Sequence, residues 1–546
     1  MADGRLLAEP GAARALEGAR AVVFLVGSYD GSGNYGDIAQ YEAAAALVSA
    51  LGPRVVPIAV VEDVYGLDHV HGYDGRGAGA RGTVLAHFAA GTDPGSDDRI
   101  ALALPPGVRA AAIYLYGGGY LNARWGERKL AMVDAVVDLL RLSGIRVGAP
   151  LASGQQIDAG WLDTLDADRT KLLRSIRPFG VRDTESARAL TELACSPVLT
   201  GDDAVGLLLG HMAPAPGAGR DGALRANVHI SDWQWTTGDG DALLDFCAAV
   251  LDGLARPGGL RVQPVIAYDD RQTSEFPVVE RFAAACRARG MDVTAFAEPL
   301  LLRPGTLDGE LGHADLTLSC SYHVALTSLL LGVPAALVAE NSYYAQKAGG
   351  LLEDFGLPPA FAPHPGQAPA EAAEQLLGAL EDARASVAHG AERVAVRRLR
   401  AERDLLGALT DELVTALAET RAGAAASQVE PDAALELAQL QADHQALLRA
   451  ELDARMRIAE RDEQLGAERE RVAEQLRLRQ QTGRELAEAR GRASDLEQAV
   501  ARAEAARHAA ALHSVDLERR LADVVESRSW RLTSMARSAA RRLRGS

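Results

Sequence analysis

Only four cysteines, Cys195, Cys247, Cys286 and Cys320, occur in 546 residues, and no two stand at metal-ligand spacing. A disulfide framework is excluded, no metal site is expected, and a reducing compartment follows. Long hydrophobic runs are also missing. The longest, Val324–Ala339, is broken by Thr327, Ser328, Gly332 and Pro334, so it reads as a buried helix followed by a strand, not a membrane span. Met1–Arg20 has no apolar core of the secretion-signal kind. The expected location is therefore the cytoplasm. Positive charge is short overall: the formal net charge of −17 excludes general nucleic-acid binding, which needs a basic surface. Two absences are local. Asp432–Glu526 contains no proline, and Arg528–Arg544 contains no acid.

What is present is enough apolar residue, 48%, to bury a sizeable core in more than one domain. From residue 20 to 210, strand-like runs alternate with helical patterns. The strands are expected at Ala21–Val26, Val55–Val61, Ala111–Tyr116, Val147–Ala152, Pro178–Val181 and Pro197–Leu199, with loops from Glu62 to Pro106. Residues 211–223 are rich in Gly, Ala and Pro and read as a linker. A second alternating unit covers 224–419, and residues 1–19 are left as an N-terminal extension. This pattern predicts α/β architecture with two Rossmann-like domains facing a cleft, GT-B-like at the level of fold. Residues 420–431 form a hinge. Residues 432–526 place Leu465, Val472, Leu486, Ala493 and Val500 at multiples of seven, interrupted by Arg479 and weakened by Gly483. A long helical coiled coil, and with it a homo-oligomer, is expected. The basic tail 527–546 interleaves Trp530, Met535 and Leu543 with arginines, which suits peripheral contact with an anionic membrane.

The chemistry concentrates in strand-to-helix turns. Asn34-Tyr35-Gly36-Asp37 follows the first strand, and Asn34 or Asp37 can either cap the next helix or serve a site. Gly117-Gly118-Gly119 and Gly154-Gln155-Gln156 stand at strand ends, where α/β folds bind ligands. Arg182 and Asp183 follow another strand; the guanidinium could clamp an anion or pair locally. Asp202 and Asp203 read better as caps. His323, in Ser319-Cys320-Ser321-Tyr322-His323, stands at a strand-to-helix turn and could shuttle a proton near neutral pH. Lys347 is either an anion ligand or an exposed helix-start residue. His69 and His71 make a weak metal pair, because no second cluster completes a site.

In their order along the chain, the Asn34–Asp37 loop, Gly117–Gly119, Val181–Ser186, Gly201–Ala204, Ser319–His323 and Gly332-Val333-Pro334 resemble the landmarks of the polysaccharide pyruvyl transferase family. The family has Arg where this chain has Ser321. The resemblance implies transfer of a pyruvyl group from phosphoenolpyruvate to a sugar hydroxyl pair, as a ketal, during assembly of a bacterial cell-surface polysaccharide such as an exopolysaccharide. No cofactor is expected; phosphoenolpyruvate is the donor substrate, and the acceptor is a saccharide or lipid-linked glycan. In this reading His323 is the acid and Asp37 orients a hydroxyl. Arg182, Ser321, Lys347, Gly117, Gly118 and Gly119 meet the donor, while Asn34, Gly36 and Gln155 form the acceptor side. The alternatives are a glycosyltransferase using a nucleotide sugar on the same frame, and a binding or scaffold member altered by Ser321.

Overall fold

The computed structural model describes residues 4–8, 12–28, 33–62, 83–90, 100–209, 224–231, 240–255, 259–269, 274–291, 299–302, 308–424, 513–514, 516–524 and 526–543. The chain divides into two compact units, Met1–His444 and Gln445–Ser546. The expected linker, most of the hinge, His69, His71 and the heptad residues Leu465–Val500 lie outside the described residues.

The first unit holds two sheets, one mostly parallel and one parallel throughout. The first half runs β1 (Gly4–Ala8), α1 (Ala12–Ala15), β2 (Ala21–Val26), α2 (Tyr35–Ser49), β3 (Val55–Glu62), β4 (Val84–Ala90), β5 (Ile100–Ala101), β6 (Ala110–Leu115) and β7 (Gly118–Leu121). It continues through α3 (Gly126–Leu142), β8 (Leu151–Ile157), α4 (Ala159–Leu162), α5 (Ala167–Ser175), β9 (Phe179–Val181), α6 (Thr184–Glu192), β10 (Pro197–Leu199) and α7 (Ala204–Leu208). Its strands lie in the order β10-β9-β8-β6-β2-β3-β4-β1-β5, with β7 beside β8. Every residue of β2 and β6 is buried. That is why both read as unbroken apolar runs: a central parallel strand is covered on both faces.

The second half runs β11 (Leu224–His229), α8 (Gly240–Leu254), β12 (Leu260–Ile266), α9 (Phe276–Ala288), β13 (Leu300–Leu301), β14 (Leu316–Ser319), α10 (Tyr322–Leu330), β15 (Ala335–Leu337), α11 (Ser342–Phe355) and α12 (Pro369–Ala424). Its sheet order is β13-β12-β11-β14-β15. In each sheet the order reverses beside the first parallel strand, between β2 and β6 and between β11 and β14. The crevice at the carboxyl end of such a reversal is where open α/β sheets take ligands.

Several boundaries differ from the sequence reading: β4 and β5 fall inside Glu62–Pro106, where loops were expected. Residues 4–8 are not an extension; β1 pairs antiparallel with β4 and β5 at the edge of the first sheet. Five residues, Gly4-Arg5-Leu6-Leu7-Ala8, are too few to show a period-2 pattern that announces a strand. The expected strand Val147–Ala152 is displaced to β8, because Gly154 takes a φ of 65° and lets a strand continue through Gly154-Gln155-Gln156 where a loop was expected. The expected end of the second unit at 419 falls inside one helix, α12, 56 residues long, which runs on into the expected hinge. Its first part packs on α8 and α10 of the second half, through Ala373, Leu376, Leu380 and Val387. Its later part carries Leu405, Leu409, Leu413 and Ala416 back onto Val23, Leu25 and Tyr114 of the first half. Burial of each such Leu is worth about 1.5–3 kcal/mol. Residues 400–419 therefore belong to the first core, not the second domain.

Candidate active site

Four strand ends from the two halves meet around Asp202. β10 leads into Thr200-Gly201-Asp202-Asp203, and α7 starts directly after. The Asp202 carboxylate accepts two bonds from Gln40 Nε2 of α2, both 3.0 Å, one from the Ala204 N–H at 2.9 Å and one from Arg182 Nη1 at 3.2 Å. His323 Nε2, from the second half, lies 3.6 Å from Asp202 Oδ2, and the two side chains are 15% and 1% exposed. Burial alone would push Asp202 up. The facing His323, the Arg182 guanidinium and the Gln40 amide outweigh it and hold the carboxyl below the usual range. Burial pushes His323 down, and the opposing pull of Asp202 does not fully restore it. A neutral imidazole thus faces an ionised carboxylate, an arrangement that orients a proton-transfer group.

His323 is carried by the first turn of α10, at the end of β14. The ring lies edge-on to Tyr322, centroids 5.1 Å apart. A β-carbon at Gly36 would overlap the imidazole, so only glycine allows α2 to begin against it. Around this point the halves are stitched together. The Tyr35 N–H donates to Ala267 O at 2.8 Å, and Tyr35 Oη lies 3.1 Å from Thr327 Oγ1. Asn34 caps α2, its side chain accepting from the N–H groups of Gly36 and Asp37. Asp37, half-buried, occupies the first turn of the same helix. Asn34, Gly36, Asp37 and His323 are therefore brought together.

Arg182 is buried. It donates to Asp202 and to Gln156 Oε1, its Nε lies 3.9 Å from Asp183, and its guanidinium stacks 4.1 Å over the Tyr322 ring. Burial would lower its pKa, but Tyr322, Asp202 and Asp183 raise it, so it stays charged. The fork expected to clamp an anion directly is spent on holding Asp202 and Gln156. Gln155, expected at a loop, lies inside β8 with its amide on Leu115 O, Tyr120 Oη and Ser153 O. Its neighbour Gln156 is the one that reaches Arg182; consecutive strand residues point to opposite faces.

The three glycines divide. The Gly117 N–H donates to Asp203 Oδ2 and is occupied within the protein. Gly118 has a φ of 139°, a conformation that side chains avoid. Gly119 meets the second half: its carbonyl accepts from Tyr343 Oη at 3.1 Å. Ser321 precedes α10 without a side-chain bond to the helix, while Ser319 Oγ closes the turn by accepting the Ser321 N–H at 2.9 Å. The start of α10 so keeps N–H groups with no side-chain cap. Lys347, half-buried on α11, places Nζ 4.2 Å from the Tyr343 ring centre, and its charge reaches His323. No group of three or more His, Cys, Asp or Glu side chains suited to a metal ion occurs among the described residues.

Sequence reading treated Asp202 and Asp203 as caps. Asp202 does bond the Ala204 N–H, but its larger role is toward His323. Asp203 makes no cap bond and instead accepts from Gly117, from Ser153 Oγ at 2.5 Å and from Arg398 of α12. Two adjacent acids between a strand and a helix were the available signal. Gln40 and Arg398 had none, since Asp202 and Asp203, which they meet, lie far away in the chain.

Among solved structures, the chain is similar to an O-GlcNAc transferase mutant from Thermobaculum terrenum, with 15% identity, 74% of this chain and 68% of that chain covered, and a TM-score of 0.35. It is also similar to a UDP-GlcNAc 2-epimerase from Neisseria meningitidis (10% identity, 70% and 100% covered, TM-score 0.38). A third is α,α-trehalose 6-phosphate synthase from Burkholderia multivorans (12%, 76% and 99%, TM-score 0.42). No curated protein matches the chain. The family model for polysaccharide pyruvyl transferase matches residues 34–342. That span opens at Asn34, contains Asp202 and His323, and covers more than half of the sequence: the chain belongs to the polysaccharide pyruvyl transferase family.

Proposed function

We propose that the chain transfers the pyruvyl group of phosphoenolpyruvate to two hydroxyls of a sugar, forming a ketal and releasing phosphate. The single observation that carries this is the His323–Asp202 pair, 3.6 Å apart, assembled from both halves at the carboxyl ends of their sheets. In the reaction the donor methylene carbon gains a proton and positive charge develops at the adjacent carbon. One hydroxyl oxygen bonds there, the carbon–phosphate oxygen bond breaks, and the second hydroxyl closes the ketal. Two hydroxyl protons are lost; one balances the new C–H bond and the other leaves with phosphate. A neutral His323 suits the acceptance of a hydroxyl proton first and its return as acid afterwards. That refines the sequence expectation of an acid alone. Asp37 orients the hydroxyl. Lys347 and the open start of α10 attract the donor anion, compensating for the missing family Arg at Ser321.

The GT-B-like reading of the frame rests on the two facing sheets. Acceptors of saccharide or lipid-linked glycan type suit the family. The described C-terminal helix, Arg528–Leu543, exposes Leu532 and Met535 and contains no acid, which supports resting on an anionic membrane at the cytoplasmic face. Leu517, Leu521 and Val524 are exposed at helical spacing, which supports pairing with a second copy through the coiled coil. No described helix is long and apolar enough to cross a membrane.

Titration calorimetry of the full chain with phosphoenolpyruvate and with nucleotide sugars tests the donor. Saturable binding of phosphoenolpyruvate supports the reading. Binding of a nucleotide sugar alone would select the glycosyltransferase alternative. Binding of phosphoenolpyruvate with no turnover on any glycan would select the binding or scaffold alternative that Ser321 favours.

A further inference from the structure

We propose that the side-chain amide of Gln156 holds an anionic oxygen of the substrate, and that Arg182 acts on that oxygen through the amide and not directly. The inference rests on the pyruvyl-transfer reading for the identity of the donor, but not for the presence of the anion.

Gln156 is 2% exposed, near the carboxyl end of β8. Its Oε1 accepts from Arg182 Nη2. Its Nε2 is buried and has no hydrogen-bond partner. Turning the amide over would set NH2 against the guanidinium, donor against donor, so the guanidinium fixes the orientation. The amide nitrogen is left with two donors unmet, at a cost of about 1–3 kcal/mol for a buried group. A buried donor kept unpaired beside a site needs an acceptor that arrives from outside.

The position fits. A β-carbon at Gly119 would lie 3.0 Å from Gln156 Oε1 and 2.5 Å from Tyr343 Oη, so the head of Gln156 sits where the two halves meet. Tyr343 carries Lys347 on its ring, and among the described residues no carboxylate lies within ion-pair reach of that ammonium. Asp202 and Asp183 face the far groups of Arg182 and balance its charge. The uncompensated positive charge on this side is therefore Lys347, which favours an anionic acceptor over a neutral hydroxyl. Donation from Arg182 polarises the amide and strengthens its N–H groups. A carboxylate or a phosphate oxygen would satisfy the same amide.

Gln156→Glu separates these effects. The variant keeps the shape and the acceptor for Arg182 but replaces the N–H donors by oxygen. Calorimetry of full-length wild type and variant would use pyruvate, inorganic phosphate and phosphoenolpyruvate, with melting temperature as the check on folding. Weakening by about tenfold to a hundredfold is expected for phosphoenolpyruvate. The same loss with pyruvate but not phosphate assigns the carboxylate; the reverse assigns the phosphate. Equal affinities of the two proteins for every probe, or no binding of any probe by wild type, would overturn the assignment. Should Gln156→Glu not fold, Gln156→Met removes the donors at similar volume and is judged by the same outcomes. Selective weakening of pyruvate or phosphate binding in a protein that forms no ketal would leave this assignment standing and remove the transferase reading.

Discussion

His323 lies against Gly36, each from a different half of the molecule, with no room between them for a β-carbon. The first turn of α2 and the first turn of α10 therefore form one surface. Gly36→Ala should push the imidazole away from Asp202. Overpacking of this kind costs about 1–3 kcal/mol in stability. The expected result is a folded protein with most activity lost, checked by melting temperature and phosphate release. Activity equal to wild type would mean that the ring can move freely.

His323→Ala should remove transfer and leave the fold, since the side chain contributes to chemistry more than to a core. Loss of acid–base catalysis lowers rate by about two to four orders of magnitude. Burial holds the imidazole below its ordinary range, so as a base it is lost only when pH falls through that lowered value. The kcat/KM profile should be flat at neutral pH and fall on the acid side, below about pH 6.5. Asp202→Asn removes the charge that raises His323, so the acid limb should move to lower pH while the rate drops.

Arg398, on α12, is the largest fully buried side chain among the described residues and is paired to Asp203 and to Glu402. Arg398→Met leaves Asp203 buried without its cation, and breaking a buried pair this way costs about 3–5 kcal/mol. Adding Asp203→Asn should recover a large part of that loss. Denaturant titration of the four proteins measures it; simple additivity would contradict the pairing.

Glu340 has a buried oxygen without a partner, and burial pushes its carboxyl from 4.5 up to about 7. The unfolded chain ionises first, so stability is full below the unfolded value and is lost as pH rises through the folded one. Glu340→Gln lacks this penalty. Its melting temperature relative to wild type should rise between about pH 4.5 and about pH 7 and level off above. A constant difference would place Glu340 in water.

Much of this was legible in advance. The central strands β2 and β6 announced themselves because burial on both faces makes them continuous apolar runs. The turns carrying Asn34–Asp37 and Ser319–His323 were legible as strand ends entering helices. The strands β1, β4 and β5 on the outer side of the first sheet were not; β1 and β5 are too short to carry a pattern. Arg182 was found, but its direction was not. Whether a guanidinium faces ligand or protein depends on Gln156, Asp202 and Tyr322, which come from other parts of the chain. The return of α12 to the first half was equally hidden, because Leu405, Leu409 and Leu413 show a buried face without showing what covers it.

The central claim is pyruvyl transfer, and product mass tests it most directly. The full chain is incubated with phosphoenolpyruvate and a panel of saccharide and lipid-linked glycan acceptors, and the glycans are read by mass spectrometry alongside free phosphate. The expected result is one glycan heavier by one pyruvic acid less one water, with matching phosphate release that His323→Ala abolishes. Phosphate release without a heavier glycan, or a glycan heavier by a sugar when a nucleotide sugar is supplied instead, would contradict it.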